Sequence, residues 1–260
     1  MYHFPRLMVS FRAWMLVWST LPLTGALASA TTPAPIIELG YVSPQSNAYQ
    51  FSLRAYADGT VIVADGLGDA VQGQLPPQRL HELIHDLLVD DGLAETDSDQ
   101  IASEIQRASI QRGLTATIPG ADETIIRIHT SRQQCERRCR AVGLLCTRFP
   151  GVPALERFAR AQARLENLRA IVLAGGHVEA DTLTQLANRR LRAEHPEHLP
   201  LTTQDLTMVR PMPAGGRYVQ FCRRDQGLPA TEQSTLIVSI IEVPGTVPRV
   251  NVFATNTPTP

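Results

Sequence analysis

Residues 49–64 read YQFSLRAYADGTVIVA, and this stretch decides the fold class. Apolar and polar side chains alternate on both sides of Asp58-Gly59, which is the pattern of strands that bury one face. Asp-Gly between two such runs marks a tight turn, because glycine adopts the positive φ that the turn requires. The stretch therefore predicts an antiparallel β-hairpin, and a third short strand is expected near residues 70–75.

Helical periodicity replaces this alternation further along the chain. A first helix is predicted to begin at Pro76-Pro77 and to end at Asp91-Gly92, and a second to run from an Asp97 cap to about residue 111. The longest helix is predicted to begin at Pro153 and to end at Gly175-Gly176. In the first helix the apolar residues that recur at helical spacing are Leu80, Leu83, Ile84, Leu87 and Leu88.

The remaining segments complete an α+β pattern. Further strands are expected at residues 123–130, 132–143, 218–222, 236–243 and 250–253, and a further helix at 181–192. Pro244-Gly245 is predicted to join the last two strands as a hairpin. Because strands bracket grouped helices, we expect an α+β fold with an antiparallel sheet, grouped helices and a C-terminal β-rich segment.

The same features suggest domain boundaries. Residues 31–48 read as a linker and entry strand, and residues 49–174 as an α+β domain. Residues 175–254 are expected to form a helix and a β-rich part, which belongs either to the same domain or to a second small one. Residues 255–260 are rich in Thr and Pro and are expected to be disordered.

The first 30 residues have the composition of a secretory signal peptide. Arg6 and Arg12 precede the short apolar stretch 13–23, and Ala28-Ser29-Ala30 supplies a small-residue cleavage site. The apolar stretch is shorter than the about 20 residues that a spanning helix needs. We therefore expect an exported protein, periplasmic or extracellular, with no transmembrane span after signal cleavage.

Charge composition excludes several classes of function. Residues 1–30 contain two of the 24 basic residues and none of the 25 acidic ones, so the mature chain carries a net charge of about −3 with neutral histidines. A nucleic-acid partner is therefore not expected. All 24 basic residues are arginine, which excludes lysine Schiff-base chemistry and a Gly-Lys-Ser/Thr phosphate loop.

About residues 50–173 resemble a widespread group of uncharacterised exported bacterial domains with an Asp-Gly hairpin followed by an amphipathic helix. The resemblance implies an exported domain and no known catalytic residues. The features that carry it are, in order, Tyr56 before the Asp-Gly turn, Asp91-Gly92-Leu93, Asp122 with Thr124, Val142-Gly143-Leu144, and Pro153 opening a helix that contains Arg164-Leu165 and Leu168.

Residues 81–85 read HELIH, which is a His-Glu-x-x-His motif on a predicted helix. The spacing can place both imidazoles on one helical face to bind zinc, with Glu82 as base toward a metal-bound water. Glu104 is the candidate third ligand. The alternative is an incidental exposed pair, because the motif has charged flanks and His81 and His85 lie away from the leucine face.

Cysteines and arginines cluster in one stretch. In an oxidising compartment the four cysteines favour disulfides, with free thiols and a metal site as alternatives. Cys135 and Cys139 would lie about 13 Å apart on one extended strand, so each would need Cys146 or Cys222. The arginines around them could bind an anion or form a solvated hairpin face. These candidate anion-binding residues are Arg132, Arg137, Arg138, Arg140 and Arg148.

These observations leave three functional hypotheses. The first is a non-enzymatic structural or binding module of the cell envelope without a cofactor, whose partner is another envelope protein or a glycan. The second is a zinc-dependent hydrolase that uses His81, His85 and Glu82. The third is a module that binds a glycan or another ligand through the arginine stretch.

Overall fold

Two antiparallel sheets and five helices make up the part of the chain described by the computed structural model, namely residues 33–66, 68–131, 133–212, 215–224 and 234–256. The predicted α+β class with its C-terminal β-rich segment is confirmed. The predicted signal peptide and Arg132 lie outside the described residues, as do residues 257–260.

The predicted hairpin lies inside a six-stranded sheet of order β4-β3-β2-β1-β5-β6. The strands are β1 (Ile37–Val42), β2 (Tyr49–Ala55), β3 (Thr60–Ala64), β4 (Ala70–Gln74), β5 (Glu123–His129) and β6 (Gln134–Arg140). β2 and β3 form the hairpin, with Leu53 opposite Val63. Gly59 has φ 85° in the turn, and a Cβ there would lie 2.2 Å from the Leu75 carbonyl oxygen, so the turn requires glycine.

Five helices connect and cover the strands. They are α1 (Pro77–His85), α2 (Ser98–Arg112), α3 (Val142–Arg148), α4 (Pro153–Ala174) and α5 (His177–Glu194). Pro77 and Pro153 open their helices because proline has the φ of a first helical residue and needs no N–H partner there. The Asp97 carboxylate accepts a bond from the Gln100 N–H at 2.6 Å and caps α2. The sequence did not predict α3.

The first core lies between one face of the six-stranded sheet and helices α1 to α4. The sheet contributes alternating aliphatic residues, such as Leu39, Leu53 and Ile126, that are fully buried. Phe149 and Phe158 are the largest buried side chains on the helical side. This packing holds α1 against one end of the sheet.

A second sheet of order β10-β9-β8-β7 forms the C-terminal layer. Its strands are β7 (Leu206–Pro211), β8 (Arg217–Arg224), β9 (Ser234–Glu242) and β10 (Arg249–Asn256). The predicted turn at Pro244-Gly245 joins β9 and β10, with Gly245 at φ 76°. β7 was not predicted, and β10 continues through Thr255 and Asn256, which were expected to belong to the tail.

Helix α4 contributes to the cores of both layers. Leu168 and Val172 belong to the first core, whereas Ala170 and Ile171 belong to the second. The Asn167 amide donates to the carbonyl oxygens of Thr203 at 2.7 Å and Leu206 at 2.8 Å, which holds the start of β7 on the helix. Through this shared helix, the described residues between 33 and 256 pack as one compact unit.

Candidate functional site

A cavity of about 770 Å³ opens at the end of the six-stranded sheet where β1 begins and the β2–β3 and β5–β6 hairpins turn. Helix α1 and the residues that follow it form the opposite wall. Seven of its twelve lining residues are aliphatic, which makes the cavity mainly apolar. The lining residues are Ile36, Ala57, Pro77, Leu80, His81, Ile84, His85, Leu88, Val89, Thr130, Ser131 and Gln133.

Both histidines of the His-Glu-x-x-His motif line this cavity. Leu80 is buried in the first core and fixes the rotation of α1, so that His81 and His85 lie exposed one turn apart along the cavity wall. Their exposure agrees with the helical pattern in the sequence. That they share a cavity was not predicted, because the cavity depends on loops that are distant in sequence.

Glu82 is held away from the two imidazoles. Its carboxylate accepts bonds from the Arg79 guanidinium at 2.8 Å and from the Gln78 amide at 3.0 Å. It lines a separate cavity of about 290 Å³ that also contains Arg164 and Asn167. In this arrangement Glu82 cannot act as a base inside the larger cavity.

Glu104, the candidate third ligand, caps another helix instead. Its carboxylate accepts a bond from the Ala154 N–H at 2.9 Å, at the start of α4, and one from the Gln100 amide at 3.0 Å. Burial raises the pKa of Glu104, but these bonds outweigh burial and the net pKa is lowered. Among the described residues, His81 and His85 belong to no set of three metal-ligating groups mutually within 4.8 Å.

A π-helical turn (Asp86–Asp90) directly follows α1 and completes the cavity wall. The Asp91 N–H donates to the Asp86 carbonyl oxygen at 2.7 Å, which is the i to i−5 bond of this turn. The Arg164 guanidinium fixes the turn through bonds to Asp86 at 2.8 Å and to Asp91 at 2.9 Å. As a result Val89 stands at the cavity rim with 60% of its surface exposed.

The structure contains no Sγ–Sγ bond among the four cysteines, so the predicted disulfides stay a prediction. Cys135 and Cys139 are buried on one face of β6, and Cys222 lies in the other sheet on β8. Burial raises the pKa of Cys139 to about 12, and the neighbouring Cys146 and Glu123 contribute to the increase. Cys146, on α3, packs against the core that contains Cys139.

The candidate anion-binding arginines do not converge in the described part of the stretch. Arg137 donates to the carbonyl oxygens of Leu93 and Glu136, on the face of β6 that carries the cysteines. Arg138 lies on the opposite face and pairs with Glu136 at 2.7 Å and Glu123 at 3.5 Å. Arg140 is exposed at the end of β6, and Arg148 donates to the Thr115 carbonyl oxygen.

A second histidine cluster was not predicted from the sequence. His195, Glu197 and His198 lie together directly after α5, with their ligand atoms all within 4.8 Å of one another. The sequence signal that could have revealed it is the short spacing His-Pro-Glu-His, in which proline favours a turn that brings the first and fourth residues together.

Comparisons give no independent indication of function. No known protein family, curated protein or solved structure matches this chain. Within the described residues, no helix combines the length and apolar character needed to cross a bilayer.

Proposed function

We propose that the chain is an exported, non-enzymatic binding module of the cell envelope, and that it binds an apolar segment of a partner protein in the cavity beside α1. The observation that carries the proposal is the composition of that cavity. Aliphatic side chains make up seven of its twelve lining residues, the other five are polar, and Glu82 is engaged elsewhere. Such mixed, mainly apolar concavities are the usual form of binding sites.

An apolar peptide segment suits the cavity better than a glycan. The hydroxyl groups of a sugar lose hydrogen bonds with water on binding, and seven aliphatic neighbours cannot replace those bonds. Burying a Leu or Ile side chain of a partner there would instead stabilise the complex by about 25 cal/mol for each Å² of apolar surface removed from water. Thr130, Ser131 and Gln133 could hydrogen-bond the backbone of the same segment.

Selection from a displayed library of random peptides tests the cavity. We expect the mature protein to select peptides that share an apolar anchor residue. Val89→Asp should bind these peptides at least about tenfold more weakly, because bound peptide would remove the new carboxylate from water. Ile110→Asp is the matched control, since Ile110 is 73% exposed on α2 and lies outside the cavity. Equal binding by wild type and Val89→Asp would rule out this surface.

The proposed export rests on the pattern of residues 1–30 and needs its own test. N-terminal sequencing of the native protein from the envelope or culture medium should give Thr31 as the first residue. A cytosolic protein that still begins with Met1 would contradict export.

A zinc-dependent hydrolase is the second candidate, because the imidazoles of His81 and His85 both line one cavity. The reaction would require Glu82 to leave Arg79 and turn toward a metal held by His81 and His85. Our proposal predicts equal zinc content in wild type and a His81→Ala/His85→Ala variant. Loss of one equivalent of zinc, together with loss of a hydrolytic activity, would favour the hydrolase.

A further inference from the structure

The chain makes a tight turn, His195-Pro196-Glu197-His198, where it leaves α5. The His195 N–H donates to the Leu191 carbonyl oxygen at 2.7 Å, and the His195 carbonyl oxygen accepts from the His198 N–H at 3.2 Å. Pro196 occupies the second position of this four-residue turn, where its fixed φ is favourable. The turn therefore brings the side chains of its first and fourth residues onto one side.

The donor atoms of this turn have the spacing of a metal site. His195 Nδ1 lies 3.2 Å from Glu197 Oε1, and His198 Nε2 lies 3.9 Å from the same oxygen. Ligands at about 2.0–2.1 Å from a tetrahedral ion are separated from one another by about 3.3 Å. Small side-chain rotations would therefore bring all three donors onto one ion.

The backbone around the turn is fixed before any ion binds. The Asn188 side chain bonds the Leu201 N–H at 2.7 Å and its carbonyl oxygen at 2.8 Å, which ties the segment after the turn to α5. Arg223 on β8 donates to the carbonyl oxygens of Leu199 and Pro200 at 2.5 and 2.9 Å. The entropy lost on binding an ion is correspondingly small.

One side of the turn is open to solvent. The side chains of His195 and His198 are partly buried, at 34% and 18% exposure, whereas Glu197 is 63% exposed. Water or a ligand from another molecule could thus reach an ion held there. Two imidazoles and one carboxylate with an open fourth position form a donor set that suits zinc, whereas calcium and magnesium require mainly oxygen ligands.

We propose that His195, Glu197 and His198 bind one divalent transition-metal ion, for which Zn²⁺ has the best-matched donor set. The site is separate from the cavity beside α1 and does not depend on the function proposed for that cavity. Its two histidines, rather than His81 and His85, would account for zinc retained by the protein.

Calorimetric titration of the metal-free mature protein with ZnCl₂ tests the site. We expect one equivalent to bind, and His195→Ala and His198→Ala each to weaken that binding more than about tenfold, because each removes a ligand. Cobalt(II) in place of zinc should give the visible absorption of a tetrahedral complex in wild type but not in His195→Ala or His198→Ala. The His81→Ala/His85→Ala variant and His129→Ala are histidine controls that should bind zinc as wild type does.

Glu197→Gln provides a second test that does not depend on the imidazoles. Its side chain is exposed, so the fold should persist, and loss of the negative charge should weaken zinc binding. Equal zinc affinity in wild type and all three turn variants would overturn the proposal. So would zinc binding that is lost only in the His81→Ala/His85→Ala variant, a result that would instead favour the hydrolase.

Discussion

Glu38 is a nearly buried carboxylate on β1, and only 6% of its surface is exposed. The strand register places it between Arg54 on β2 and Arg127 on β5, each with an N–O distance of 2.6 Å. Arg127 in turn pairs with Glu136 on β6 at 2.6 Å. Positive and negative side chains therefore alternate across β2, β1, β5 and β6, on the face of the sheet opposite the first core.

The pKa of Glu38 follows from these contacts. Burial raises it, but the hydrogen-bonded guanidinium groups of Arg54 and Arg127 outweigh burial and hold the pKa of Glu38 below its usual range. A carboxylate whose pKa is lowered in the folded state stabilises that state above its unfolded pKa. This contribution is lost as the pH falls through the folded pKa.

We predict that Glu38→Gln lowers the free energy of unfolding by about 3 kcal/mol at pH 7, because two arginines lose the charge between them. The difference from wild type should shrink as the pH falls through the lowered pKa of Glu38, because the wild-type carboxylate is then protonated. Urea denaturation over a series of pH values measures the difference. Glu95→Gln, at an exposed position, is the control, and equal destabilisation of the two variants would contradict this account of Glu38.

At the scale of elements, the π-helical turn depends on one arginine from another helix. Asp91 is 98% buried and pairs with Arg164 on α4, which also pairs with Asp86. Removing the guanidinium would leave a buried carboxylate without its closest counterion. The position of Val89 at the cavity rim therefore depends on α4 as well as on α1.

We predict that Arg164→Met destabilises the protein by about 3 kcal/mol, since the buried Asp91 carboxylate loses its closest counterion. Arg160→Met is the matched control, because Arg160 is 53% exposed and lies 3.8 Å from Asp91, so its loss should cost less than about 1 kcal/mol. Thermal and urea unfolding compare the two variants. Similar losses of stability in both variants would contradict the proposed stabilisation of Asp91 by Arg164.

The connection from β6 to α3 determines the disulfide that we expect. Ala141 has φ 55° between these elements and turns the chain so that Cys146 packs against the first core, which includes Cys139. Peptide mapping of the native protein without reduction should therefore find a Cys139–Cys146 disulfide. A crosslinked peptide that contains Cys222 would contradict the prediction, because β8 belongs to the other sheet.

At the scale of the whole molecule, α4 joins the cores of the two layers. Phe221 is fully buried in the second core, which shares this helix with the first. Loss of the second core would expose one side of α4 and remove support from the six-stranded sheet. Both sheets should consequently unfold in a single transition.

We predict that Phe221→Ala lowers stability by about 3–5 kcal/mol and lowers it equally in both sheets. Native-state hydrogen exchange should show the same loss of protection for amides in β1 and β9. Phe253→Ala, which alters a 55% exposed residue of β10, should leave protection in both sheets nearly unchanged. A loss confined to β9 would show that the layers unfold independently.

Most helices and strands could be predicted because their signals are local. Asp58-Gly59, Pro153 and the Asp97 cap act within a few residues, and the structure bears out the turn, the helix start and the cap. Helix α3 was missed because it is only seven residues long and follows the unusual Ala141 conformation. The π-helical turn was missed because its residues continue a helical pattern and its stabilising partner, Arg164, is more than 70 residues away.

The sequence by itself determined the α+β class, the main turns and the exposure of His81 and His85, since periodicity, capping and turn chemistry are properties of short segments. Only the tertiary structure decided that these histidines line an apolar cavity, that Glu82 and Glu104 have other partners, and that α4 belongs to two cores. The physical reason is that a cavity or an ion pair depends on distances between side chains. Packing, rather than local chain geometry, sets those distances for residues that are far apart in sequence.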